Sequence, residues 1–292
     1  MTVLDGGTGR ELARIGAPFS QPLWSAQALI EDPDTVRRVH ESYVAAGAEL
    51  ITTNTYAVNP FHVGDQLFER DGRRLTALAA SIAREVADRG PGVRVAGCIP
   101  PVLGSYRPDL FVHEEARPIL DVLILEQAPF VDLWLAETQS SIAEAGFVRE
   151  LLDAHRQPAP LWISFTLRDE LDEDGESRMR SGESIVDAAR AAEHLGAEAL
   201  LFNCSQPEVM EPAISAAAMA TELPIGVYAN AFVLETGVAA NAGLHDIRHD
   251  VTPEAYLELA RRWVAAGATI VGGCCGIGPD HISALSADLS DG

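Results

Sequence analysis

The sequence predicts a single (β/α)8 barrel spanning residues 1–292. Three observations lead there. Short apolar runs alternate with stretches of helical periodicity, which implies a parallel sheet covered by helices. A unit made of a helix end, a glycine and an apolar run recurs three times along the chain. The length, 292 residues, suits eight such units in one domain. A doubly wound open sheet is the alternative arrangement of the same units.

The eight strand-like runs are 2–5 (TVLD), 49–54 (ELITTN), 93–99 (VRVAGCI), 131–137 (VDLWLAE), 160–166 (PLWISFT), 198–204 (EALLFNC), 224–230 (PIGVYAN) and 268–274 (ATIVGGC). Amphipathic stretches lie between them. Residues 34–46 put Val36, Val39, Tyr43 and Val44 on one face. Residues 253–266 do the same with Tyr256, Leu259, Ala260, Trp263 and Val264, after a Thr252 cap and Pro253 at the first helical position. The recurring unit reads Ala45-Ala46-Gly47-Ala48-Glu49-Leu50-Ile51, His194-Leu195-Gly196-Ala197-Glu198-Ala199-Leu200 and Ala265-Ala266-Gly267-Ala268-Thr269-Ile270-Val271. Each glycine suits a left-handed helix C-cap, and a strand starts just after it. Residues 104–117 and 168–183 are polar and loop-like. The dense charges of 168–183 fit a solvated βα loop or a lid over a site.

With 43 acidic and 21 basic side chains, the net charge is −22. That argues against nucleic acid or an anionic membrane as the partner. No apolar run approaches the ~20 residues of a membrane span. The first residues show no basic segment followed by an apolar one, so no signal peptide is visible and a cytoplasmic location is expected.

Four cysteines are present, too few for a disulfide-stapled fold of this length. Counting from the repeat glycines aligns equivalent strand positions. Asn203 and Cys204 stand seven and eight residues after Gly196, and Cys274 and Cys275 stand seven and eight after Gly267. Three thiols thus fall at the C-terminal ends of two strands, where barrel active sites gather. Three thiolates with an open fourth position make a zinc centre of the catalytic type. Gly272, Gly273 and Gly276 thin the strand end around them. A vicinal disulfide between Cys274 and Cys275, or plain buried thiols, are the alternatives; Cys98 reads as a small hydrophobe.

Several motifs appear in one order: Asp5-Gly6-Gly7-Thr8-Gly9, Leu23-Trp24-Ser25, Thr53-Asn54-Thr55-Tyr56, Glu137-Thr138, Phe202-Asn203-Cys204 and Gly272-Gly273-Cys274-Cys275-Gly276. With them the chain resembles the zinc-dependent homocysteine S-methyltransferase family, from Leu4 to about Ile282. The resemblance implies Zn2+ on Cys204, Cys274 and Cys275, and methyl transfer from a small onium donor to the homocysteine thiol. Zinc would lower the pKa of that thiol and keep it the nucleophile. Three thiolates already over-neutralise the ion, so the bound sulfur keeps its electron density. No side-chain base is then needed, and positioning supplies the remaining gain.

The resemblance also implies roles for other residues. Asp5 and Gly6 look like part of the homocysteine site, with backbone N–H groups facing the substrate carboxylate; an ordinary βα turn is the plain alternative. Glu137 looks like the acceptor for the homocysteine ammonium, against a strand-end ion pair. Asn203 looks like a residue at or directly behind the site. Thr53 and Tyr56 would face it from the second strand. In betaine-using members a tyrosine near this position takes zinc's open place, but here the spacing differs by about one residue. Trp24 is a candidate face for a cationic donor or else a core anchor.

The compact chain lacks the long C-terminal extension of betaine-using members, so a sulfonium donor, S-methylmethionine or S-adenosylmethionine, is expected. Betaine, or a selenol acceptor such as selenocysteine, is the alternative. A zinc-stabilised binding barrel without turnover would need a fourth protein ligand. A zinc hydrolase would need a general base beside metal-bound water. Neither is visible. His245 and His249 have helical metal-pair spacing but sit in a polar stretch that reads as surface loop, and Asp65, Glu69 and Asp71 read as a solvated face. The early glycines lack a Walker lysine, and no dinucleotide fingerprint exists.

Overall fold

The computed structural model describes residues 1–233 and 246–289. Eight parallel strands form one sheet: β1 (Thr2–Val3), β2 (Leu50–Thr52), β3 (Arg94–Ile99), β4 (Leu133–Gln139), β5 (Leu161–Thr166), β6 (Ala199–Asn203), β7 (Ile225–Tyr228) and β8 (Ala268–Val271). The order β1-β8-β7-β6-β5-β4-β3-β2 leaves β1 and β2 at the two ends. A parallel bridge between Leu4 and Leu50 joins them. The Asp5 N–H donates to Leu50 O at 3.0 Å and the Glu49 N–H to Val3 O at 2.8 Å. The sheet therefore closes into the (β/α)8 barrel, and the open-sheet alternative is excluded.

Each expected strand forms, mostly one to three residues shorter than its apolar run; β4 instead starts later and extends to Gln139. A helix follows every strand: Pro33–Ala45, Asp65–Ala87, His113–Gln127, Ile142–Ala154, Ile185–His194, Met210–Ala218, Pro253–Ala265 and Pro279–Leu289. Thr252 caps Pro253–Ala265 by accepting from the Ala255 N–H. Gly47, Gly196 and Gly267 all have positive φ, at 99°, 67° and 121°, as C-caps that end one helix and launch the next strand.

Two apolar layers result. The larger lies between strands and helices. The smaller fills the barrel with Leu4, Leu50, Ala96, Leu133, Leu135, Trp162, Leu201 and Ile270. Strand alternation assigns the next layer up. Leu133 and Leu135 point inward, so Glu137 does too; Ala96 points inward, so Cys98 does; Leu201 points inward, so Asn203 does. The apolar plug thus gives way to a polar floor at the C-terminal mouth.

Candidate active site

A cavity opens at that mouth. Its walls come from the turn after β1 (Asp5 to Gly9), from Trp24, from the end of β2 (Thr52 to Tyr56), and from Tyr106, Glu137, Thr138, Cys204, Tyr228, Cys274 and Cys275. The sulfurs of Cys204, Cys274 and Cys275 all lie within 4.8 Å of one another. The Cys274 Sγ–H donates to Cys204 Sγ at 3.0 Å. All four cysteines are free thiols, so no vicinal disulfide forms. Among the described residues this is the one group of three or more His, Cys, Asp or Glu side chains placed to hold a metal.

The local backbone explains how three thiols meet. Cys204 leaves β6 with φ 53°, a left-handed conformation that costs a non-glycine residue about 1–3 kcal/mol. Trp24, Tyr106 and Thr138 also have positive φ and also line the cavity. Such strain is held only where surrounding bonds over-determine it. Thr138 shows how: its N–H donates to Asn203 Oδ1 at 3.2 Å, and Asn203 Nδ2 donates to Thr138 Oγ1 at 2.8 Å. A register shift between β4 and β5 brackets the same residue. The turn after β1 packs so tightly on the backbone of Cys274 and Cys275 that a Cβ on Gly7 would sit 2.5 Å from Cys274 O.

The thiols perturb one another. Hydrogen bonds from Cys204 and Cys274 hold the Cys275 thiol well below its usual range. The same contacts, with burial, push Cys274 up. The Tyr106 hydroxyl donates to Cys204 Sγ at 2.9 Å. Three clustered sulfurs, one of them biased to thiolate by its two neighbours, make a donor set that suits a thiophilic cation such as zinc. Zinc–sulfur bonds of about 2.3 Å put tetrahedral sulfurs about 3.8 Å apart, a spacing small side-chain rotations would reach here.

Two carboxylates face the same cavity. Asp5 accepts from the Thr52 N–H at 2.8 Å and from Thr52 Oγ1 at 3.2 Å. Burial, despite those bonds and helped by Glu137, raises its pKa to about 8. Burial likewise raises Glu137 to about 7. Among the described residues, no arginine or lysine lines the cavity. The walls therefore favour a cation, whose charge would hold both carboxylates ionised.

The other expected residues separate into walls and supports. Gly6, Trp24, Thr53 and Tyr56 line the cavity. Trp24 also packs edge-on against Phe19, at 5.7 Å between ring centroids, so it is both wall and anchor. Thr53 Oγ1 donates to Gln127 Oε1 at 2.6 Å, which turns its hydroxyl away toward the core. The Tyr56 hydroxyl pairs with Ser105 Oγ at 2.6 Å. Asn203 is not in the cavity wall: its amide is occupied by Thr138 and by Ser164 Oγ at 2.8 Å, so it stands directly behind the site. The charged 168–183 segment lines none of the cavity. Antiparallel bridges Leu167–Met179 and Arg178–Ser184 fold it back on itself, and Arg180 lies 4.5 Å over the Tyr106 ring. It buttresses a wall rather than covering the mouth. His245 lies outside the described residues, and His249 is exposed in a turn. Tyr106, Tyr228 and His62 complete the walls and carried no motif in the sequence.

The homocysteine S-methyltransferase family model matches residues 2–289. The chain belongs to that family. It is 31% identical to the homocysteine S-methyltransferase of Escherichia coli, over 98% of this chain and 94% of the relative. It is 28% identical to a selenocysteine methyltransferase from Astragalus bisulcatus, over 99% and 93%. The metallated form of the E. coli homocysteine methyltransferase MmuM superposes with a TM-score of 0.79 at 28% identity, covering 98% of this chain and 96% of that one. The chain is a methyltransferase of this family, and its cysteine cluster occupies the mouth of the family's barrel.

Proposed function

We propose that the protein transfers a methyl group from a sulfonium donor to the thiol of homocysteine, giving methionine and the demethylated thioether. The observation that carries this reading is the cavity wall itself: three clustered thiols beside two buried carboxylates, with no arginine or lysine among the described lining residues. Cys204, Cys274 and Cys275 would hold zinc, which when bound lowers the pKa of the substrate thiol and keeps it nucleophilic. Glu137, with Asp5 beside it, takes the substrate ammonium through charge-assisted hydrogen bonds. The turn at Gly6 lies against the substrate carboxylate; the Gly7 N–H is already spent on Ile277 O at 3.0 Å.

The donor enters past Trp24, whose ring offers a π face to the onium charge. The donor's S–CH3 bond breaks as the new one forms, its electron pair staying on the departing sulfur as a neutral thioether. A thioether leaves more readily than a tertiary amine, which supports a sulfonium over betaine. Since the thiol proton is lost before transfer, the residues around it need only position and exclude water.

The test is a donor panel. Zinc-loaded protein is given homocysteine with S-methylmethionine, S-adenosylmethionine or betaine in turn, and methionine is measured. Methionine from a sulfonium and not from betaine supports the reading. Methionine from betaine alone refutes the donor, and methylation of selenocysteine in preference to homocysteine refutes the acceptor.

A further inference from the structure

Directly behind the cavity residue Glu137 lies a thiol that has no place in the metal cluster. Cys98 is fully buried on β3, and its Sγ lies 3.1 Å from Glu137 Oε2, with the S–H donating. We propose that Cys98 is a positioning residue, which orients the Glu137 carboxylate toward the substrate ammonium.

The surroundings of Cys98 are built to aim it. Its N–H donates to Thr53 Oγ1 at 2.9 Å. Its carbonyl accepts from Thr55 Oγ1 and from Gln127 Nε2, both at 3.0 Å. Thr53 in turn donates to Gln127 Oε1. Gln127, Thr53 and Thr55 are themselves buried, so three polar side chains lie inside the protein to hold the backbone of one residue. Such a network is stable only when satisfied throughout, and it fixes the backbone from which Sγ reaches Glu137. A cysteine serving only as a small hydrophobe needs no such arrangement.

A second observation lies on the far side of the carboxylate. Tyr228 is 4% exposed and borders the cavity, yet its hydroxyl has no hydrogen-bond partner. It stands close enough to Glu137 to favour the carboxylate's ionised form. A buried hydroxyl without a well-formed hydrogen bond beside a cavity carboxylate is a place where a ligand can complete the bonding. Glu137 thus lies between Cys98, which donates to it, and the Tyr228 hydroxyl, which faces it without a well-formed hydrogen bond. The Cys98 contact determines which oxygen stays on the floor and which faces the cavity.

The inference rests on the reading of Glu137 as the ammonium's partner, and the test separates the two. The protein is the zinc-loaded enzyme. With Cys204, Cys274 and Cys275 on the metal, Cys98 is the remaining cysteine of the four and carries the one S–H. Its infrared S–H stretch should vanish in Cys98→Ala and move to higher frequency in Glu137→Gln, where the acceptor is neutral. Cys98→Ala should raise KM for homocysteine about 3- to 10-fold with kcat and zinc content held, and Cys98→Ser should recover most of that loss. In the Glu137→Gln background, Cys98→Ala should add less than about twofold. An S–H stretch indifferent to Glu137→Gln, or the same fold-effect of Cys98→Ala in both backgrounds, overturns the proposal while leaving Glu137→Gln impaired. A Glu137→Gln enzyme with unchanged KM instead refutes the reading of Glu137, and the positioning role with it.

Discussion

The Tyr106 hydroxyl donates to Cys204 Sγ at 2.9 Å, joining residues 98 positions apart. A loop that carries no family motif is thereby tied to the metal cluster, and Arg180 stacks on the tyrosine from behind. A hydroxyl bonded to a metal-ligating sulfur tunes that sulfur, and loss of such a partner typically costs 10- to 100-fold in metal affinity or activity. Tyr106→Phe keeps the ring and the Arg180 contact. Its zinc affinity, measured by competition with a chelator, should fall at least about 10-fold. An unchanged affinity would make the contact incidental.

Zinc content distinguishes the four cysteines. Purified protein should carry about one zinc per chain. Cys204→Ser, Cys274→Ser and Cys275→Ser should each lose it, because the sulfurs lie within 4.8 Å of one another and nothing else among the described residues can replace one. Cys98→Ser should keep it, since that thiol is engaged with Glu137. Metal analysis showing Cys98 required and Cys204 dispensable would contradict the ligand set.

Glu137→Gln should damage homocysteine use and spare the metal. The substitution is nearly isosteric and removes only the charge. A desolvated ammonium without its counter-charge costs roughly 2–4 kcal/mol in kcat/KM, about 30- to 1000-fold. Asp5 remains to take part of the charge, which places the expected loss toward the lower end. Steady-state kinetics and zinc content on the same preparation decide it: loss of zinc along with activity would move Glu137 into the metal's support.

Much of the fold and of the site is legible in the sequence. The strands declared themselves because they are buried on both faces and read as apolar runs. The thiols were found by counting from Gly196 and Gly267, since equivalent positions in repeated βα units lie at equivalent heights in the barrel. Glu137 followed from its place at the end of such a run and from its motif. Tyr106 and His62 escape for one reason. They sit on irregular loops or a four-residue helix, Pro60–Val63, where no period predicts direction. Asn203 shares the register of the cavity residues, yet its amide is consumed by Thr138, a contact that depends on the left-handed turn there. Cys98 was legible in principle: alternation from Ala96 points it inward at the height of Glu137. Its residue type argued for a plain hydrophobe instead.

A further prediction concerns the scaffold. His40, on the helix Pro33–Ala45, is fully buried, and neither ring nitrogen has a hydrogen-bond partner. Burial, with Arg37 adding to it, lowers its pKa from 6.5 to about 4. The unfolded chain therefore binds a proton that the folded chain refuses between those values, and this site costs stability as pH falls from 6.5 toward 4. His40→Leu removes both the unsatisfied nitrogens and the titration. It should stabilise the fold by about 1–3 kcal/mol near neutrality, and its advantage over wild type should widen in acid. Urea unfolding of both proteins at pH 7 and pH 5 reads the difference; an advantage that shrinks in acid would mean His40 is bonded in solution.

The central claim is that the thiol cluster holds zinc with one position kept for the acceptor sulfur, and zinc-edge X-ray absorption tests it most directly. Without substrate, the spectrum should fit three sulfurs and one lighter atom at the metal. With homocysteine added it should fit four sulfurs, and Cys204→Ser should abolish the signal by losing the metal. A coordination shell that stays unchanged while methionine is being produced would contradict the account.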